Sequence, residues 1–360
     1  MIVTMFRRFT ILAALSSYSR SVYVSSFVSA SGAGGPRRFD SSLNMKQIDS
    51  HLHVWASADE ASSSFPYAGD DQVPPQSIQD AATPAKLLEK MNEAKVDGAL
   101  SKCPRLCVSS CTLLYITPLL HRTHNRNYSV VQPINHKFDH SYVSDAMRMY
   151  PEKFKGMLLH DPSLSPGLAV SRLEELVLAG FCGVRFNPYL WPEGKLMSED
   201  GGNGLAVYKR CAELKVPVGV MCFKGLGLHL EDIEALISKS PDTTLILDHM
   251  GFCKLGDDEN FEKLISLARH PNVVVKVSAM FRNTGAEDSY PYEKIREKRF
   301  GPLLAAFGAK RLMVGSDFPF VLETEGSYRG AISVVREWVG GSDREAIMGG
   351  TAERLFGKWG

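Results

Sequence analysis

The chain carries no useful excess of either charge: Lys and Arg number 41, Asp and Glu 40, and the formal net charge is +1. Affinity for a phosphate backbone or an anionic membrane therefore gets no support from bulk electrostatics, and neither partner is expected. The seven cysteines show no paired spacing of a disulfide framework, which favours a reduced interior. The apolar run Phe9 to Leu15 is too short to span a bilayer. No glycine-rich phosphate turn follows the first strand, which argues against an open doubly wound sheet for dinucleotides. Acidic residues are missing altogether from residues 1–39, a stretch holding Arg7, Arg8, Arg20, Arg37, Arg38 and eight serines. Acid-free leaders of this composition read as transit peptides, so residues 1–44 are set aside from the fold. The expected destination is an organelle, the chloroplast ahead of the mitochondrion, or the cytoplasm if the leader does not target. A secretory signal is the competing reading.

The chain as a whole is 44% hydrophobic, and what remains, residues 45–360, is long enough to bury one large core. Short β-branched runs alternate with helical patterns. The first run, Met45 to Ile48, leads into Asp49-Ser50-His51-Leu52-His53. The others read as Asp97 to Leu100, Phe154 to Asp161, Gly183 to Tyr189, Pro217 to Phe223, Thr243 to His249, Asn272 to Ala279 and Arg311 to Phe318. Between them lie helical faces such as Leu87, Leu88, Met91 and Ala94 behind a Thr83-Pro84 start, and Phe261, Leu264, Ile265 and Ala268. Asp343 to Gly357 reads as a closing helix. Eight strands with intervening helices predict an α/β fold, the (β/α)8 TIM barrel, with its site at the C-terminal ends of the strands.

One interval breaks the rhythm. The gap from the second strand to the third is nearly twice the others, and removing Ser101 to Ser129 would join Leu100 to Val130 as one strand. The expectation is an anomalous insertion over 101–129, a translated non-coding segment or splice variant. Its Cys103, Cys107, Cys111, His121 and His124 lack the usual spacing of a metal cluster.

Polar side chains gather at the predicted strand ends. His51 and His53 share a face two residues apart, as a ligand pair or as hydrogen-bonded strand-end histidines. Asp317 is a general base or metal ligand, or a carboxylate capping the next turn. His249 is a site histidine, or half of a strand-end pair with Asp248. Arg185 and Lys276 alternate with Val184, Phe186, Val275 and Val277, so they should point into the barrel mouth and hold an anion, or form a buried ion pair with Asp317 or Asp248. Gln132, Asn135 and His136 would add hydrogen bonds after the second strand, and Trp191 would wall the site or simply pack.

His51-Leu52-His53, Asp248-His249-Met250-Gly251 and Gly315-Ser316-Asp317-Phe318-Pro319 together resemble the amidohydrolase-related (amidohydrolase 2) family of metal-dependent barrel hydrolases. The chain is most similar to a plant-type form of the branch acting on sugar-acid and 2-pyrone-4,6-dicarboxylate lactones. The resemblance covers Lys46 onward, apart from residues 101–129. It implies hydrolysis of a cyclic ester, with His51, His53 and Asp317 as metal ligands in metal-using members. Asp317 would also take a proton from water, and His249 would stand beside the reacting carbonyl. One divalent metal, Zn²⁺ or similar, is then implied. Val216 to Gly227 offers no histidine where metal-using members supply a further ligand, so metal-free operation stays open. The expected function is water attack on a lactone bearing a carboxylate or hydroxyls, with Arg185, Lys276, Asn135 and Trp191 binding this small-molecule substrate. The alternatives are a metal-dependent decarboxylase of the same family and a non-catalytic ligand-binding barrel. Oligomeric state has no sequence signal.

Overall fold

A computed structural model describes residues 47–94 and 126–359. Eight strands follow one another round a single sheet: β1 (Gln47–Leu52), β2 (Arg126–Val131), β3 (Phe154–Leu159), β4 (Phe181–Phe186), β5 (Val218–Val220), β6 (Leu245–Leu247), β7 (Val273–Val277) and β8 (Leu312–Val314). Every adjacent pair is parallel. β8 returns to β1 through a parallel bridge between Leu52 and Phe318, with His53 N donating to Phe318 O (2.8 Å) and Asp317 N to His51 O (2.9 Å). The sheet is therefore the (β/α)8 barrel that the alternating pattern predicts.

Period-two alternation sorts the strand residues into two layers. Val184, Phe186, Leu245, Leu247, Val273, Val275, Leu312 and Val314 face helices and pack with Leu87, Leu173, Ile233 and Leu264. Ile48, Val131, Met157, Ile246, Val274 and Met313 fill the inside, closed from below by Phe356 and Trp359 of the C-terminal segment. Two residues above that inner layer come Asp248, Lys276 and Gly315. The barrel is plugged with hydrocarbon up to the level where its polar groups begin.

β2 differs from expectation. Arg126 to Ser129, placed in the insertion by sequence spacing, belong to the strand, with Tyr128 and Ser129 in register with Phe154 and Lys155. Asp97 to Leu100 and the cysteines and histidines of the anomalous segment lie outside the described residues, as do residues 1–46.

β1 and β8 are tied by the carboxylate of Asp49. Oδ1 accepts from Ser316 N (2.9 Å) and His51 N (3.1 Å), and Oδ2 from Ser316 Oγ (2.6 Å). Gly315 allows the close approach, because a Cβ there would stand 2.8 Å from His51 Cβ and 3.1 Å from that of Ser278. Gly315→Ala is expected to cost ~1–3 kcal/mol of overpacking. Chemical denaturation checks this, and an unchanged midpoint would refute the tight seam.

Candidate active site

At the C-terminal mouth, residues from β1, β6 and β8 meet at one carboxylate. Asp317 Oδ1 lies 3.9 Å from His51 Nε2, 3.7 Å from His53 Nε2 and 3.8 Å from His249 Nε2. Its Oδ2 accepts from Arg282 Nε at 2.8 Å. Asp317 sits at φ +63°, and His249, Met250 and Phe252 all have φ between 53° and 55°. Non-glycine residues rarely adopt this region, and its use at the ends of β6 and β8 turns these side chains inward at a cost in backbone strain.

Each imidazole is oriented by its other nitrogen. His53 Nδ1 donates to the Val131 carbonyl (2.8 Å), which leaves the Nε2 lone pair facing Asp317. His51 Nδ1 faces Asp248 Oδ1 at 3.3 Å, and Lys276 Nζ reaches the same oxygen at 3.1 Å. His249 Nδ1 pairs with Ser278 Oγ (2.8 Å), and Asn283 Nδ2 holds the His249 carbonyl (3.0 Å). These are the supports that fix ligand or catalytic rings.

Burial, helped by Arg185, pushes the His53 pKa down to about 3. Burial also holds His51 and His249 well below the usual imidazole range, with Lys276 adding for His51 and the His51 ring for His249. All three rings are therefore neutral near pH 7. Burial pushes the Asp317 carboxyl up to about 6 against the pull of Arg282. Burial acts to raise Asp248 too, but Lys276 and Arg185 outweigh it and leave that carboxyl below its ordinary value.

His51 Nε2 is buried with no hydrogen-bond partner among the described residues. Together with His53 and Asp317 it offers ligand atoms all within 4.8 Å of one another. Ligands about 2.1 Å from a tetrahedral divalent ion stand ~3.4 Å apart, so a small contraction of this trio fits one. β5 contributes no ligand to it: Met221 Sδ accepts a hydrogen bond from Arg185 Nη2, and His229 packs on Tyr189 with ring centroids 5.1 Å apart.

His53 and Asp317 of the trio open into a cavity of about 270 Å³ whose lining also includes Asn135, Arg185, His249 and Arg282. A larger one, about 410 Å³, lies against helix Pro166–Leu178 and carries none of this cluster, so volume alone does not mark the chemistry. Of the residues expected to bind substrate, Arg185 and Asn135 line the smaller cavity, Asn135 with Nδ2 donating to the Gln72 carbonyl (2.6 Å). Two are placed elsewhere. Lys276 is fully buried in its contact with Asp248 and is not among the residues lining this cavity. Trp191 packs on His160 and Phe186, each with centroids 5.2 Å away, and is not part of the cavity wall. Gln132 lines the cavity, while His136 stacks on Tyr142.

Arg282 escaped the sequence reading. It rides a short helical turn, Met280–Asn283, after β7, with its side chain 35% exposed and its guanidinium 4.7 Å from the Phe320 ring centre. No periodic pattern marks it. The one available signal was a basic residue shortly past a strand end.

A curated L-fucono-1,5-lactonase of Burkholderia multivorans is 30% identical over 141 residues, which are 35% of this chain and 47% of that protein. The match thus spans about half the length of the curated relative. Among solved structures, a probable 2-pyrone-4,6-dicarboxylic acid hydrolase from Acinetobacter baumannii, with citric acid bound, aligns with a TM-score of 0.60 at 19% identity, over 87% of this chain and 100% of its own. An amidohydrolase of Burkholderia multivorans with bound zinc aligns at 0.56 and 19% identity, over 86% and 98%. At those identities the structural likeness speaks for the fold. The family model described as Amidohydrolase matches residues 48–358, from the two histidines at the end of β1 through the aspartate that follows β8 to the closing helix, and the chain belongs to the amidohydrolase family.

Proposed function

We propose that this amidohydrolase opens a lactone by attack of water on its carbonyl carbon. The observation that carries the reading is the meeting of three buried imidazoles on Oδ1 of one carboxylate whose other oxygen is fixed by Arg282. Asp317, with its pKa raised to about 6, takes the proton as the water oxygen bonds to the carbonyl carbon. When the tetrahedral adduct collapses, the ring C–O bond breaks and the same carboxyl returns its proton to the departing alkoxide. The Ser278 hydroxyl can donate to His249 Nδ1, which puts the ring hydrogen on Nε2, facing the developing oxyanion. The Arg282 guanidinium, which lines the cavity, adds positive charge there and is a ready partner for a substrate carboxylate. Arg185 also lines the cavity, with Nη2 donating to Met221 Sδ and Nε 3.6 Å from Asp248 Oδ2, and adds positive charge for a substrate anion.

A divalent ion held by His51, His53 and Asp317 would supply Lewis-acid polarisation of the carbonyl and a more acidic water. Elemental analysis is expected to find about one such ion per chain, lost from His51→Ala and His53→Ala, which remove ligands. Metal-free protein with full activity would leave the oxyanion to His249 and Arg282 alone.

The test is a lactone panel followed by acid release, with carbon dioxide monitored in parallel on unsaturated and aromatic acids. Acid release without carbon dioxide supports the proposal. Carbon dioxide from an acid with no lactone turnover replaces it with the decarboxylase, and neither product leaves a binding barrel.

A further inference from the structure

Beside the buried Asp317, His249 and His53, the cavity is lined by the apolar side chains Trp55, Ile134, Met221, Phe223, Phe252 and Phe320 and by polar ones that include Gln132, Asn135, Asn187, Arg185 and Arg282. Two of these stand open at the mouth: Ile134 is 38% and Phe223 44% exposed. Exposed apolar side chains are ordinary when scattered singly, but these two line one cavity and continue its apolar wall to the surface. Phe223 is also held in place, with its ring centre 4.2 Å from that of Tyr189.

One end of each amide in the lining is committed within the protein, and Gln132 Oε1 is left buried with no partner among the described residues. Gln132 Nε2 donates to the carbonyls of Lys137 (3.1 Å) and Asp139 (2.7 Å), Asn135 Nδ2 to that of Gln72 (2.6 Å), and Asn187 Oδ1 accepts from Tyr189 N (3.2 Å). Hydroxyls turned toward Trp55, Phe223, Phe252 or Phe320 would lie against hydrocarbon, where each unpaired group is costly. A substituent of methylenes or an aryl ring would instead gain from every carbon withdrawn from water.

We infer that the substrate is a lactone with an apolar substituent, alkyl or aryl, that runs from the reacting carbonyl out past Ile134 and Phe223. This rests on the lactone-hydrolysis reading and adds which lactones are preferred.

The test compares three probes on the full chain: δ-valerolactone, δ-decalactone with its pentyl tail, and glucono-1,5-lactone. Wild-type kcat/KM is expected to be at least about tenfold higher for δ-decalactone than for either of the others. In the Ile134→Ser/Phe223→Ser double variant, the ratio of δ-decalactone to δ-valerolactone should fall by about tenfold. Turnover of all three without preference, or a preference for glucono-1,5-lactone, overturns the inference while leaving the hydrolase intact. Should no lactone turn over, the hydrolase reading fails and calorimetry decides the specificity separately. Tighter binding of 5-hydroxydecanoate than gluconate, lost in the double variant, supports the apolar path; equal or weaker binding overturns it.

Discussion

Asp317→Asn is expected to lower kcat for lactone hydrolysis by on the order of 10³-fold or more, the scale of a positioned general base, while the barrel stays folded. Asparagine keeps an oxygen for the Arg282 Nε that now donates to Oδ2 at 2.8 Å. It also tolerates φ near +63° better than other non-glycine residues. The raised pKa of the native carboxyl means that burial disfavours its ionised form in the folded state, so removing the charge relieves the protein. The thermal midpoint should hold or rise, as expected when a site gives up stability for chemistry. Near-normal turnover by this variant would remove Asp317 from the role of base.

Lys276→Met should have the largest effect on stability, ~3–5 kcal/mol, because it strands a buried carboxylate. Asp248 is 1% exposed and Lys276 fully buried, 3.1 Å apart, with Arg185 Nε a weaker second partner at 3.6 Å. Methionine fills nearly the same space above the Met157 sulfur, which lies 3.6 Å from Nζ, so the loss is electrostatic and leaves little cavity. Adding Asp248→Asn should recover part of the stability, with a coupling above ~1 kcal/mol in a double-mutant cycle. Activity should fall as well, since His51 Nδ1 takes its orientation from Asp248. Unchanged denaturation with a raised KM would return the ammonium to substrate binding, where alternation along β7 first placed it.

That contrast shows where a sequence stops being informative. Alternation with Val184, Phe186, Val275 and Val277 correctly turned Arg185 and Lys276 inward, since period two reports the face of a strand. It says nothing of depth. Lys276 directly follows the closed inner layer at Val274 and is sealed, whereas Arg185 on β4 borders the cavity. His51, His53, His249 and Asp317 were legible because each belongs to a short contiguous motif at a strand's end, and barrel closure brings such ends together. Arg282 was not, because its place depends on an irregular turn that starts at Ala279 with φ +49°. Trp191 sits in a loop where wall and packing look alike in sequence. That Arg126 to Ser129 belong to β2 rather than to the insertion was hidden for a different reason: they pair through backbone groups, which every residue but proline carries.

The most direct measurement of the central claim is lactone opening in heavy-oxygen water, followed by mass spectrometry of the hydroxy acid. Attack by water at the carbonyl carbon, with Asp317 taking its proton, places the label in the product's carboxylate. Label in the product's hydroxyl, or no hydroxy acid from any lactone, would contradict it.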